Sequence, residues 1–281
     1  MQASFTVENV LLSCRDGEII SNQKLNEMTI RRFGFTVDDP GYLFTVSMAD
    51  EYEEQKENVR GFLEEICRHE CGFSASVICS DQWKKVYLII YRVYDARNWK
   101  EYFQKNVVTG LCRKFPGTII CVWIETKQLT KLEEAMIQTG SLMEWNLLQP
   151  RGVLICQQTV EKFEVVPVRY PVELEQRMRE MIFDENKKGI ARQFQLVCEE
   201  MKREKYFPKE IKYSIIRFCM AAGLNYRNYG GEIDETEILS LMQQITYAIS
   251  WKQIEKAIQG LERMLSYEHK FERYSMLIQK A

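Results

Sequence analysis

The fold is decided by residues 73–93, which read FSASVICSDQWKKVYLIIYRV. Two runs rich in β-branched and aromatic residues flank a short polar segment, a pattern that is typical of a β-hairpin. The second run, from Val86 to Tyr91, is apolar without alternation. Such a run predicts a strand that is buried on both faces at the centre of a sheet.

Strands and helices alternate on either side of this hairpin. The sequence predicts strands at 43–48, 118–124 and 153–156, and amphipathic helices at 53–69, 96–114 and 130–148. The order is therefore β-α-β-β-α-β-α-β. Its first six elements form a split β-α-β unit, which predicts a ferredoxin-like antiparallel sheet with helices on one face.

Three segments follow from this pattern, and together they define an α+β fold class. Residues 1–41 form an N-terminal helical segment with a helix at 22–33, for which Gly34 is the expected C-cap. Residues 42–165 form the α/β domain. From Tyr170-Pro171 onwards the pattern is purely helical, which predicts an all-α domain over 166–281.

Composition excludes several classes of partner. The formal net charge of −2 and the pI near 6.0 give no electrostatic reason to expect direct contact with nucleic acid or anionic membrane. No apolar run approaches the roughly 20 residues of a membrane helix, and the N-terminus does not resemble a signal peptide. Nine cysteines without a C-x-x-C pair indicate reduced thiols and a cytoplasmic location.

No catalytic, cofactor-binding or metal-binding residues are predicted. The strongest metal candidate is the segment Cys67-Arg-His69-Glu-Cys71. On a helix the two thiols would share a face while His69 points away, so a helix end with a surface histidine is the better interpretation. Two histidines in the whole chain also leave little material for a histidine-based catalytic centre.

The last helix carries an apolar seam at 3-4-3-4 spacing. Its first members are Trp251, Ile254, Ile258, Leu261 and Leu265, and the pattern continues after a phase shift to Ile278. A seam of this length is typical of a coiled-coil-like homodimer contact and equally of a long helix docked on its own domain. Both interpretations remain open at this point.

The element order and the polar hairpin resemble a degenerate GGDEF domain, as does the closing segment 132–155. In diguanylate cyclases that hairpin carries Gly-Gly-Asp/Glu-Glu-Phe. The equivalent turn here is Ser80, Asp81, Gln82 and Trp83, so both glycines and the paired acids are absent. Only Asp50, after the first strand, matches a metal-binding carboxylate of that family. The resemblance therefore implies a chain that is not an enzyme.

Three further stretches resemble the middle region of large AraC-type bacterial transcription regulators. They are 8–17 (ENVLLSCRDG), 43–50 (LFTVSMAD) and 170–175 (YPVELE), and 275–281 resembles the lead-in to the DNA-binding domain. In that family this region follows a receiver or sensor domain and precedes a helix-turn-helix pair, neither of which is in this chain. The chain thus resembles an excised or truncated regulatory core.

The resemblance implies a non-enzymatic regulatory and signal-coupling region that acts as a homodimer without a cofactor. DNA would be contacted only through a downstream helix-turn-helix, and an upstream receiver or sensor would supply the signal. The alternative is a small-molecule effector-binding module whose pocket lies between the α/β and helical domains. The sequence does not name the effector.

Overall fold

The computed structural model describes residues 5–265 of the chain. The strands are β1 (Gly41–Ser47), β2 (Phe73–Ser80), β3 (Lys85–Val93), β4 (Ile120–Thr126) and β5 (Leu154–Ile155). The helices are α1 (Val7–Arg15), α2 (Gln23–Phe33), α3 (Tyr52–His69), α4 (Trp99–Tyr102), α5 (Thr109–Lys114), α6 (Leu132–Met143), α7 (Gln157–Val160), α8 (Val172–Phe183), α9 (Lys187–Arg203), α10 (Pro208–Asn228), α11 (Glu235–Tyr247) and α12 (Trp251–Leu265). None of the helices in this range is long and apolar enough to cross a membrane.

The strands form one sheet in the order β2-β3-β1-β4-β5. Since β1 and β2 are connected through α3 and β3 lies between them, the predicted split β-α-β arrangement is present and the α+β class is confirmed. Two expectations were wrong. The central strand is β1 and not β3, and β5 pairs with β4 in parallel, so the sheet is mixed. A parallel neighbour needs a crossover connection, which α6 provides.

Helices and loops cover both faces of the sheet, whereas the sequence predicted helices on one face. Val86 to Ile90 are all 0% exposed, as the continuous apolar pattern of residues 86–91 predicts, whereas Tyr91 at the end of that run is partly exposed. Successive strand residues point to opposite faces of the sheet. Burial of every residue therefore requires that other elements of the protein cover both faces. On one face Leu88 belongs to the core that includes Leu63 of α3 and Phe103. On the other face Lys85 contacts Thr139 of α6.

The helix predicted at 96–114 has a π-helical segment (Phe103–Val108) between α4 and α5. A π-segment adds a residue to the turn and changes the direction in which side chains point. Gln104 uses this position to bind the backbone beside β5. Its Nε2 donates to the carbonyl oxygen of Gly152 at 2.9 Å, and its Oε1 accepts from the N–H of Leu154 at 2.6 Å.

Three helix ends are explained by the chemistry of their terminal residues. Gly34 ends α2 in the left-handed conformation with φ +76°, which glycine adopts at low cost. Pro208 lies in the first turn of α10, where no intrahelical N–H bond is lost. The Asp234 side chain accepts from the backbone N–H of Thr236 and caps α11.

The chain divides into two compact units, the first ending at Lys162 and the second beginning at Phe163. The α/β unit includes α1 and α2, which the sequence analysis treated as a separate N-terminal segment. The helical unit consists of α8 to α12 as far as Leu265. Its core is formed by apolar side chains from every helix, including Met178, Ile182, Phe194, Val197, Ile211, Ile215, Phe218, Ile245 and Ile254.

Candidate functional site

The hairpin turn lies beside the start of α3 at one edge of the sheet. Asp81, Gln82, Trp83 and Lys84 are all exposed, whereas Ser80 is 8% exposed. The Ser80 hydroxyl accepts from the backbone N–H of Trp83 at 3.4 Å. Lys84 has φ +49°, so the turn uses a left-handed lysine at a position that glycine would occupy with less strain.

One carboxylate oxygen of Asp81 binds two side chains of α3. Its Oδ1 accepts from Lys56 Nζ at 2.7 Å and from the Tyr52 hydroxyl at 3.1 Å. Hydrogen bonding from Lys56, then from Tyr52, lowers the pKa of Asp81 below its ordinary value. Lys56 also pairs with Glu53 at 2.9 Å. Asp81 therefore anchors the hairpin to the helix as a carboxylate, through its Oδ1 atom.

The other acid of interest, Asp50, is exposed. It lies in the short 3₁₀ turn Ala49–Glu51 that follows β1. Ala49 has φ +50°, so the backbone is strained where the strand turns into α3. Within residues 5–265, no group of three or more His, Cys, Asp or Glu side chains is arranged to hold a metal ion. The geometry at this edge suits a structural junction between hairpin and helix.

Lys85, at the start of β3, is a buried charged residue that was not predicted from the sequence. It is 9% exposed, and its Nζ lies 3.5 Å from Thr139 Oγ1 and 5.8 Å from the centre of the Trp83 ring. No carboxylate pairs with it in the described part of the chain, and burial lowers its pKa. The strand period could have revealed it, because Lys85 shares a face with Tyr87 and Ile89.

The five seam residues of α12 lie inside the helical unit. Ile254, Ile258, Leu261 and Leu265 are at most 4% exposed in the single chain. They pack towards α9, α10 and α11. Trp251 is partly exposed, and Lys202 Nζ lies 4.8 Å from the centre of its ring. This arrangement corresponds to the docked-helix interpretation over these residues, and the continuation to Ile278 lies outside the described range.

An apolar groove of about 350 Å³ lies between α10 and α11. Met220 and Leu224 on α10 and Leu239 on α11 line it and are each more than half exposed. Gly223 lies at its floor, where a Cβ atom would be 3.2 Å from Ile238 Cδ1. Arg227 and Glu235 form an ion pair at its rim. No local pattern in the sequence indicates this groove, because its residues come from two helices.

No protein-family model, curated protein or solved structure matches this chain.

Proposed function

We propose that this chain is the non-enzymatic regulatory and signal-coupling region of an AraC-type bacterial transcription regulator. In this role it acts in the cytoplasm as a homodimer without a cofactor. It receives the state of an upstream receiver or sensor domain and passes it to a downstream helix-turn-helix pair, which alone contacts DNA. The support from the sequence is the resemblance of residues 8–17, 43–50 and 170–175 to that family.

The observation that carries the non-enzymatic part is the composition of the turn 80–83, which lacks the glycines and the paired acids. A catalytic hairpin of the GGDEF type needs glycines, so that substrate can approach the backbone, and free acids for the metal. The turn 80–83 contains no glycine, and Lys56 and Tyr52 both bind its only acid. Asp50 is the one carboxylate that matches a metal-binding acid of that family.

DNA retardation tests the regulatory assignment. We expect no sequence-selective complex with the 281-residue chain at physiological salt, since it carries a formal net charge of −2 and no complete helix-turn-helix. A longer protein that includes the downstream coding sequence should bind a specific site. A longer protein with no selective binding would contradict the proposal, as would GTP conversion to a cyclic dinucleotide that Asp50→Ala abolishes.

The alternative function, effector binding, is favoured by one observation, the groove between α10 and α11. Its volume is within the range of small-molecule sites, and its lining is mostly apolar. The sequence places the expected effector pocket between the two domains, whereas this groove lies within the helical unit. A ligand that raises the melting temperature of the wild-type chain but not of Leu239→Glu would support it. An equal rise in both proteins would place the ligand elsewhere.

A further inference from the structure

The two edges of the sheet differ in how they are protected. At one edge β5 has only two residues, and the backbone next to it is bound by the Gln104 side chain. At the other edge β2 has eight residues and pairs with β3 alone among the described strands. A free edge exposes unpaired N–H and C=O groups, so it can accept another strand.

Natural edges of this length are usually blocked by charged residues, by proline or by bulges. β2 contains neither proline nor any charged residue, and the uncharged stretch extends from Cys71 to Ser80 in a chain with 28% charged residues. A bulge lies between Ser74 and Ala75. Beyond it, Ala75 to Ser80 pair regularly with β3, which leaves about 20 Å of regular open edge.

The apolar residues in the middle of β2 are buried on both faces of the strand, whereas Ser74, Ala75, Ser76 and Cys79 are partly exposed. Val77 and Ile78 point to opposite faces, and they are 9% and 6% exposed. Among the described strands, none pairs with the outer backbone edge of β2, and the partner that fits such an edge is a β-strand.

We propose that the β2 edge pairs antiparallel with the β2 edge of a second copy of this chain, which joins the two sheets into one. In a two-fold antiparallel pair, each strand lies against its own copy, so any charge near the axis faces a like charge. The uncharged stretch avoids this repulsion. A second copy also presents a strand that is already ordered, whereas a free peptide loses conformational entropy on binding.

The helix beside this edge is compatible with the pairing. Cys79 of β2 lies near Arg60 and Glu57 of α3, and Arg60 Nε pairs with Glu64 Oε1 at 2.8 Å. The flank therefore carries both signs of charge, and two such flanks do not repel. The inference shares the expectation of a homodimer with the proposed function but does not depend on a role in transcription.

Sedimentation of the full chain tests the pairing. We expect wild type to dimerise at tens of micromolar, and Ser76→Lys to weaken the dimer by at least about tenfold, because lysine on an edge strand opposes pairing. Ser76→Thr is the matched control, since threonine favours strands and adds no charge. It should retain the dimer. A monomeric wild type, or a dimer that Ser76→Lys leaves unchanged, would overturn the proposal.

Hydrogen exchange on the wild-type chain tests the β2 pairing independently, and it remains informative if Ser76→Lys fails to fold. Amides of β2 in wild type should become more protected as protein concentration rises, while β4 amides, inside the sheet, should not change. Dimerisation with β2 protection independent of concentration would place the contact elsewhere and overturn the proposal.

Discussion

The sequence points to two regions, the hairpin turn as a degenerate catalytic turn and the seam of α12 as either a dimer contact or a docked helix. The structure gives these two regions opposite environments. The turn Ser80–Trp83 is mostly exposed and tied to α3 through Asp81. The seam of α12 is buried in its own unit, with Leu261 at 0% exposure. An apolar period shows which side of a helix is buried but does not show whether the same chain or a partner buries it.

The largest expected effect comes from a charge in the seam. Leu261→Asp removes a buried apolar side chain and places a carboxylate in the core, so we expect a loss of about 4 kcal/mol or more in the free energy of unfolding. Denaturation followed by circular dichroism measures it, and the loss should not depend on protein concentration. Gln259→Asp, on the exposed side of α12, is the control and should change stability by less than about 0.5 kcal/mol.

A different result for Leu261→Asp would contradict the prediction that the seam is buried within its own unit. If Leu261→Asp kept its unfolding free energy and instead shifted a dimer to monomer in sedimentation, the seam would be an intermolecular contact. The homodimer itself does not depend on this result, because the β2 edge offers a separate surface.

A smaller effect on stability is expected at Lys85, which directly follows the hairpin turn. Lys85→Met replaces a buried ammonium that lacks a carboxylate partner with an apolar side chain of similar length. We expect a gain of about 1 kcal/mol near pH 7, since the desolvation cost is removed. Thermal and chemical unfolding measure it. Lys84→Met is the control, because Lys84 is exposed and should be nearly neutral.

The pH dependence of stability provides a second test of the Lys85→Met prediction. Burial lowers the pKa of Lys85, so the folded protein releases this proton at lower pH than the unfolded chain. Wild-type stability relative to Lys85→Met should therefore rise with pH, from the lowered pKa up to about 10.4, the unfolded value. A constant difference across that window would mean that Lys85 is solvated or paired.

The sequence predicted the hairpin, the split β-α-β order and the burial of Val86–Ile90 on both faces, because these depend on local periodicity. It did not predict the partners of Asp81, since Lys56 and Tyr52 are brought to it only by the packing of α3 against β2. Nor did it predict the parallel pairing of β5, because a two-residue strand carries almost no pattern. Contacts between distant segments have no signature in one sequence.

The smallest effect is expected at the hairpin tip itself. In wild type the lowered pKa of Asp81 means that its anchoring is present above the unfolded pKa of about 3.9 and is lost as pH falls through the lowered folded value. Asp81→Asn removes the charge at every pH. We therefore expect turn amides 80–85 to lose protection in Asp81→Asn at pH 7, and in wild type only at strongly acidic pH. Hydrogen exchange measured by NMR across this pH range separates wild type from Asp81→Asn.

The control is Glu54→Gln, because Glu54 is an exposed acid on α3, and this substitution should leave the protection of the turn unchanged. Equal protection in wild type and Asp81→Asn would show that the backbone of the turn holds its shape alone, and the ion pair with Lys56 would then contribute nothing to the junction.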